Sequence, residues 1–170
     1  INVGMYDDAG RTILDVVKKI SEIENVERVR ISSIEPKTIP DDLILFMGTK
    51  TKLCRYLHVP LQSMSDKILD FMGRSYRQAE MELFFEFVTQ NVDGLCLGAD
   101  VIVGFPGETE DDFSDTYEFL ASSPVAYFHV FSYSDRKFAK SRNFPDHLDP
   151  AIIQTRSTML RQLSSHKKKE

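Results

Sequence analysis

Hydrophobic positions along the chain fall into short apolar runs that alternate with stretches of helical spacing. Ile13, Val16, Val17, Ile20 and Ile23 share one stripe of a helix expected over 11–23, after a turn through Asp7, Asp8 and Gly10. Val29–Ile34 reads as a strand closed by Pro36. Pro40 and Asp41 open a short helix carrying Leu43, Phe46 and Met47, and Gly48 stops it. The next strand spans Tyr56–Leu61, with Pro60 near its end, where a lost ladder donor is tolerated. Helices are expected over about 66–72 and 77–91, the second burying Leu83, Phe84, Phe87 and Val88. Leu95–Val103 reads as a strand, the helix Glu110–Ala121 buries Phe113, Tyr117 and Leu120, and Tyr127–Tyr133 forms one more strand. After a polar, Pro-interrupted loop, Ala151–His166 makes a last helix with Ile153, Leu160 and Leu163 inside.

This repeating order places the chain in the α/β class, with parallel strands and outer helices, because parallel strands need crossover connections of helical length. Four or five strands are visible, whereas eight close a TIM barrel, so the alternatives are an open sheet or part of a larger barrel. Ile1-Asn2-Val3-Gly4 reads like the exit of a strand, and Lys167-Lys168-Lys169-Glu170 like an interdomain linker. The expectation is therefore a partial TIM-type barrel over 1–150, lacking its N-terminal strand or strands, followed by a terminal helix and linker over 151–170.

Composition narrows the classes further. A chain of 170 residues with 42% hydrophobic content can bury one substantial core. A formal charge of −5 argues against a surface that grips nucleic acid all round. Cys54 and Cys96 are far apart and lack CxxC or Cys-His spacing, so no zinc site or cluster assembles from them. Both read as buried thiols in a reducing compartment. Neither a signal peptide nor a long apolar span is visible, which points to a soluble, cytoplasmic protein with no membrane partner.

The densest candidate chemistry lies in DVIVGFPGETEDDF (100–113), where an apolar strand runs through a Gly-Pro-Gly turn into an acidic helix start. Small-molecule sites of parallel α/β folds gather at such strand ends, although a capped βα loop accounts for the same residues. Ser32, Ser33 and Glu35 close the first strand, Gln62 and Ser63 the second, and Asp100 and Gly104 bracket the third. Neighbouring strands would bring these groups to one pocket. Arg74, twelve residues after Gln62, can reach back to an anionic ligand group. His58 and His129 lie within strands and read as core rather than ligands.

RISSIEP (30–36), LHVPLQSMSDKILDFMGRSY (57–76), DVIVGFPGETEDDF (100–113) and HVFSYSDR (129–136) together resemble the radical S-adenosylmethionine methylthiotransferases. RISSIEP and INVGMYDDAG are most similar to the branch that methylthiolates threonylcarbamoyladenosine in tRNA, next to the anticodon; the isopentenyladenosine and ribosomal-protein branches are the alternatives. The resemblance implies two [4Fe-4S] clusters in the full-length parent, one on a CxxxCxxC loop and one in an N-terminal domain. Neither cysteine set is present in this chain, so the fragment alone is expected to be inactive. It also implies a C-terminal RNA-binding domain beyond the linker, with tRNA as the parent's partner.

By similarity to radical enzymes of the coproporphyrinogen type, the resemblance implies that Glu35, Gln62, Ser63, Arg74, Asp100, Gly104 and Tyr133 hold S-adenosylmethionine. The residue types suit that ligand. Arg74 can pair in a planar fork with the methionine carboxylate. Asp100 can accept both ribose hydroxyl protons, while Glu35 and Gln62 suit the amino group or remaining ribose oxygens. Gly104 lets backbone approach adenine, and the main chain at Val130–Tyr133 can meet the base edge. None of these residues breaks a bond, and no catalytic residue or metal ligand is assigned. Met64 stands where the family has Gly, and Phe138-Ala139 where it has Gly-Thr.

Two other classes compete. A TIM-barrel lyase with a phosphate at the turn before Glu110 would use the helix N-terminus, but the run Glu108–Asp112 repels anions. A noncatalytic interaction module would present Phe84, Phe85 and Phe87, which read as core. An uncovered sheet edge predicts that the fragment self-associates.

Overall fold

The computed structural model describes residues 2–169. Ile1, in the expected strand exit, and Glu170, in the expected linker, lie outside the described residues; Val3–Met5 forms a 3-10 turn capped by Asn2. Strands β1 (Tyr56–Gln62), β2 (Cys96–Val103) and β3 (Val125–Ser132) form one parallel sheet in the order β1-β2-β3. Helices α1 (Ile13–Glu22) and α2 (Asp41–Gly48) precede it. The crossovers contain α3 (Asp66–Phe71) and α4 (Gln78–Asn91), then α5 (Glu110–Ser122), and α6 (Pro150–Lys167) follows β3. Each strand therefore neighbours the next in the chain, the progression of a barrel wall, rather than the reversal that marks a doubly wound sheet.

Alternation along the strands sorts their side chains. Leu57, Val59, Leu61, Leu97, Ala99 and Val101 are fully buried beneath the helices. Tyr56, His58, Asp100, Tyr127 and His129 line a cavity on the opposite face. Ser164 of α6 seals one point of the β3 edge: the Phe128 N–H donates to Ser164 Oγ (2.9 Å), which donates back to the Phe128 carbonyl (2.8 Å).

Several expectations are corrected. Among the described residues the sheet has three strands, not four or five. The expected strand Val29–Ile34 makes no regular ladder: Val29 bridges Leu53, in the segment before β1, and the Ile34 N–H bonds the His58 carbonyl of β1 at 3.1 Å. Its apolar residues report burial rather than pairing, since Ile31 and Ile34 enter the core from irregular backbone. The inner face of α1 runs through Leu14 and Val17, leaving Ile20 and Ile23 exposed. That of α4 runs through Met81, Phe85 and Val88; Phe84 and Phe87 are half-buried and Leu83 is 65% exposed. This helix carries more apolar side chains than one stripe holds, so packing selects the set. Cys54 is half-buried and Cys96 exposed, because Cys96 shares the cavity-side alternation of Gly98 and Asp100 at the amino end of β2.

Candidate functional site

The carboxyl ends of β1 and β2 bring the expected ligand groups to one side of the molecule. A register shift between Val59 and Gln62 interrupts β1, and Gln62 adopts φ 65°, a left-handed conformation uncommon outside glycine. Gln62, Asp100, Phe105 and Tyr133 line one cavity of about 410 Å³. An adjoining cavity of about 440 Å³, which contains Arg74, shares Ile102, Phe105 and Ser141 with it. Arg74 sits just past the left-handed Gly73 that ends α3, and its Nη1 meets Glu35 Oε2 at 3.4 Å. Tyr133 is held by its N–H to the Val103 carbonyl (2.8 Å), and its hydroxyl donates to Ser141 (3.1 Å).

Two residues of the expected set have other neighbours. Ser63 is buried toward α5, where its Oγ pairs with Thr116 Oγ1 at 3.3 Å and accepts the Ser65 N–H at 3.2 Å. Gly104 has φ 78°, and a Cβ there would lie 2.5 Å from Ile153 of α6, so only glycine fits between turn and helix. Its N–H donates to both Glu108 carboxylate oxygens at 3.1 Å.

A second group lies deeper on the cavity face. Asp100 pairs with His129 across β2 and β3, and both His58 Nε2 (2.9 Å) and His129 Nδ1 (3.1 Å) bond to its Oδ1. Tyr127 approaches His58 Nδ1 at 3.4 Å and shares a 2.6 Å hydrogen bond with Tyr56, over whose ring Arg30 stacks at 3.8 Å. Burial, followed by the Tyr56 hydrogen bond, pushes the Tyr127 hydroxyl above the usual phenol range. These side chains border a cavity of about 600 Å³, together with Ser32 and Ser33. His58 is buried as expected, but His129 is exposed and both face the cavity, which corrects their reading as core. His58 stands two residues from Tyr56 and His129 two from Tyr127, and that polar alternation within apolar strands was the available signal.

On the helix side the polar groups close on one another. Asp112 accepts from Ser65 (2.6 Å) and Thr109 (2.6 Å) and pairs with Lys67 (2.5 Å). Burial opposes its ionisation, but Lys67, Ser65 and Thr109 outweigh that and bring its pKa down to about 2. Arg156 of α6 bonds Glu108 (2.6 Å) and Glu110 (2.8 Å) and lies over the Phe113 ring. Burial pushes Glu108 upward, against the pull of Arg156 and the Gly104 N–H. The pattern missed this brace, whose partners are 48 residues apart with no local signature.

The sequence profile described as the radical SAM superfamily matches residues 3–120. The chain is 36% identical over 163 residues to the threonylcarbamoyladenosine tRNA methylthiotransferase MtaB of Aquifex aeolicus, covering 96% of this chain and 40% of that protein. It is 37% identical over 145 residues to the tRNA-2-methylthio-N(6)-dimethylallyladenosine synthase of Endomicrobium trichonymphae, covering 85% and 35%. The chain thus spans well under half the length of these curated relatives. Among solved structures it is similar to the radical SAM enzyme coproporphyrinogen III oxidase of Escherichia coli, with a TM-score of 0.62 and 19% identity over 80% of this chain and 32% of that one. TsrM, a radical S-adenosylmethionine methyltransferase of Kitasatospora setae, gives 0.54 and 13% over 69% and 23%. These likenesses identify the fold as TIM-type, so the parallel sheet and its outer helices are part of such a barrel. Profile and architecture agree: the chain belongs to the radical SAM superfamily.

Proposed function

We propose that this chain is the S-adenosylmethionine-holding part of a tRNA methylthiotransferase that modifies a hypermodified adenosine beside the anticodon, threonylcarbamoyladenosine being the favoured nucleoside. The carrying observation is that Gln62 and Asp100 share one cavity while Arg74, paired with Glu35, lines the one adjoining it. The identity to MtaB and to the dimethylallyladenosine synthase supports the tRNA methylthiotransferase reading, and the RISSIEP and INVGMYDDAG segments favour the first of the two branches.

The residues fit the cofactor. When bound beside an iron–sulfur cluster, S-adenosylmethionine supplies radical chemistry; the complete enzyme would carry two [4Fe-4S] clusters. Arg74 meets Glu35 through one nitrogen at 3.4 Å, and both side chains are about a quarter exposed, so the guanidinium is free to fork onto a carboxylate. Glu35 then takes the amino group. Among the described residues no hydrogen bond is made to Asp100 Oδ2, which is left to accept from the ribose. Gln62 adds an amide to the same sugar. Ser63, bonded to Thr116, acts by fixing the turn beneath Gln62, and Gly104 by letting α6 pack. The rival phosphate site is disfavoured because the first turn of α5 is already capped by Thr109 and Asp112.

The complete enzyme would meet tRNA in the cytoplasm; in this chain no helix is long and apolar enough to cross a membrane. Self-association of the isolated chain through a sheet edge is part of the same reading, and a monomer by light scattering at high concentration would count against it. For the main reading, equilibrium dialysis of the chain with S-adenosylmethionine should show binding that falls about tenfold or more in Asp100→Ala and Arg74→Ala, each of which removes a charge-assisted hydrogen bond. Unchanged binding in both variants removes the site. The anaerobically reconstituted full-length parent should release 5′-deoxyadenosine, and its failure to do so would remove the activity.

A further inference from the structure

The cluster formed by His58, Asp100 and His129 is more than a pair of hydrogen bonds. Two imidazole nitrogens from two strands converge on a single carboxylate oxygen, at 2.9 and 3.1 Å, and the three ligating atoms all lie within 4.8 Å of one another. Ligands set tetrahedrally around a zinc-sized ion, at about 2.0–2.2 Å from the metal, stand about 3.3–3.6 Å from each other. The two nitrogen-to-oxygen separations therefore lie within roughly half an ångström of that spacing, so a cation can take the place of the shared protons if the side chains part by about that much. We propose that these three side chains form a site for a divalent first-row transition ion, a two-histidine, one-carboxylate set with open coordination positions.

Three further observations support the assignment. Tyr127 stands 3.4 Å from His58 Nδ1, the nitrogen that does not face Asp100. That is the place of an outer partner that fixes the tautomer and orientation of a ligating imidazole. Asp100 and His129 are register partners on adjacent strands, and His58 lies on the same face, so rigid sheet rather than loop holds all three. The remaining coordination positions open onto the cavity of about 600 Å³, where water or a donor group of a ligand can complete the sphere. Two imidazoles with one carboxylate select zinc, iron(II), cobalt(II) or nickel(II) over magnesium or calcium, which prefer oxygen throughout.

The test uses the full chain on a Cys54→Ser, Cys96→Ser background, stripped of metal and free of any affinity tag, so that thiolates and tag histidines are not ligands. Cobalt(II) titration should give visible d–d bands, saturating at one ion per chain and displaced by zinc. His129→Ala is the main variant, because this side chain is 58% exposed and its removal leaves the core intact. It should weaken binding by more than the ten- to hundredfold that loss of an outer partner costs, and Asp100→Asn should do the same. Tyr127→Phe should show the smaller effect, while His147→Ala, in the loop between β3 and α6, should change nothing. Absence of saturable binding, equal binding by His129→Ala and Asp100→Asn, or equal loss in His147→Ala would each overturn the proposal. No S-adenosylmethionine or RNA is present, so failure here leaves the proposed function standing, and failure of cofactor binding leaves this site standing.

Discussion

On one face of β1, Leu57, Val59 and Leu61 are sealed beneath helices; on the other, Tyr56 and His58 join Tyr127, Asp100 and His129 around open space. The polar groups of the helix side close on themselves, Ser63 with Thr116, Asp112 with Lys67 and Ser65, Glu108 with Arg156. Those of the cavity side converge on single atoms bordering solvent. A buried network whose partners are all internal expresses itself in stability, whereas convergent groups facing a cavity are left to a ligand. The same three strands therefore serve two purposes, and substitutions should separate them.

The largest effect should come from the helix side. Leu57→Ala removes a fully buried side chain and should cost about 2–5 kcal/mol in urea unfolding. A loss near zero would break the distinction between the faces. Asp112→Ala comes next. Its folded pKa of about 2 lies below the ordinary 3.8, so its contribution is complete above pH 4 and disappears as pH falls toward 2. With Lys67 partly exposed, the loss at neutral pH should be about 1–2 kcal/mol. Unfolding midpoints of variant and wild type should therefore converge in acid; a constant gap across pH would mean that packing, not charge, is responsible. The smallest effect belongs to the cavity side. Tyr127→Phe should cost about 1 kcal/mol or less, because its hydrogen-bond partners Tyr56 and His58 remain near open space.

Much of the architecture was legible because periodicity reports burial. The strands at Tyr56, Cys96 and Val125 and the helices after them follow the apolar pattern within a few residues. The same signal failed where burial and pairing part company: Ile31 and Ile34 are core residues without a regular ladder. It also failed where a helix has too many apolar residues to name its own inner face, as Leu83 and Phe85 show. At the candidate site, Gln62, Asp100, Arg74 and Glu35 were readable as strand-end and turn residues, and they gather at one end. Ser63 was not, because the irregularity that turns Gln62 toward the cavity sends its neighbour to the helix side, and hydrophobic spacing does not encode a register shift. The meeting of His58, Asp100 and His129 depends on how three strands align, which no single segment contains.

Ser164 gives α6 a role beyond covering apolar surface. One hydroxyl satisfies both main-chain groups of Phe128, standing where an additional strand would dock. Growth of the sheet past β3 at that point requires the helix to lift away first, so α6 acts as a stopper that refuses a newcomer strand beside Phe128.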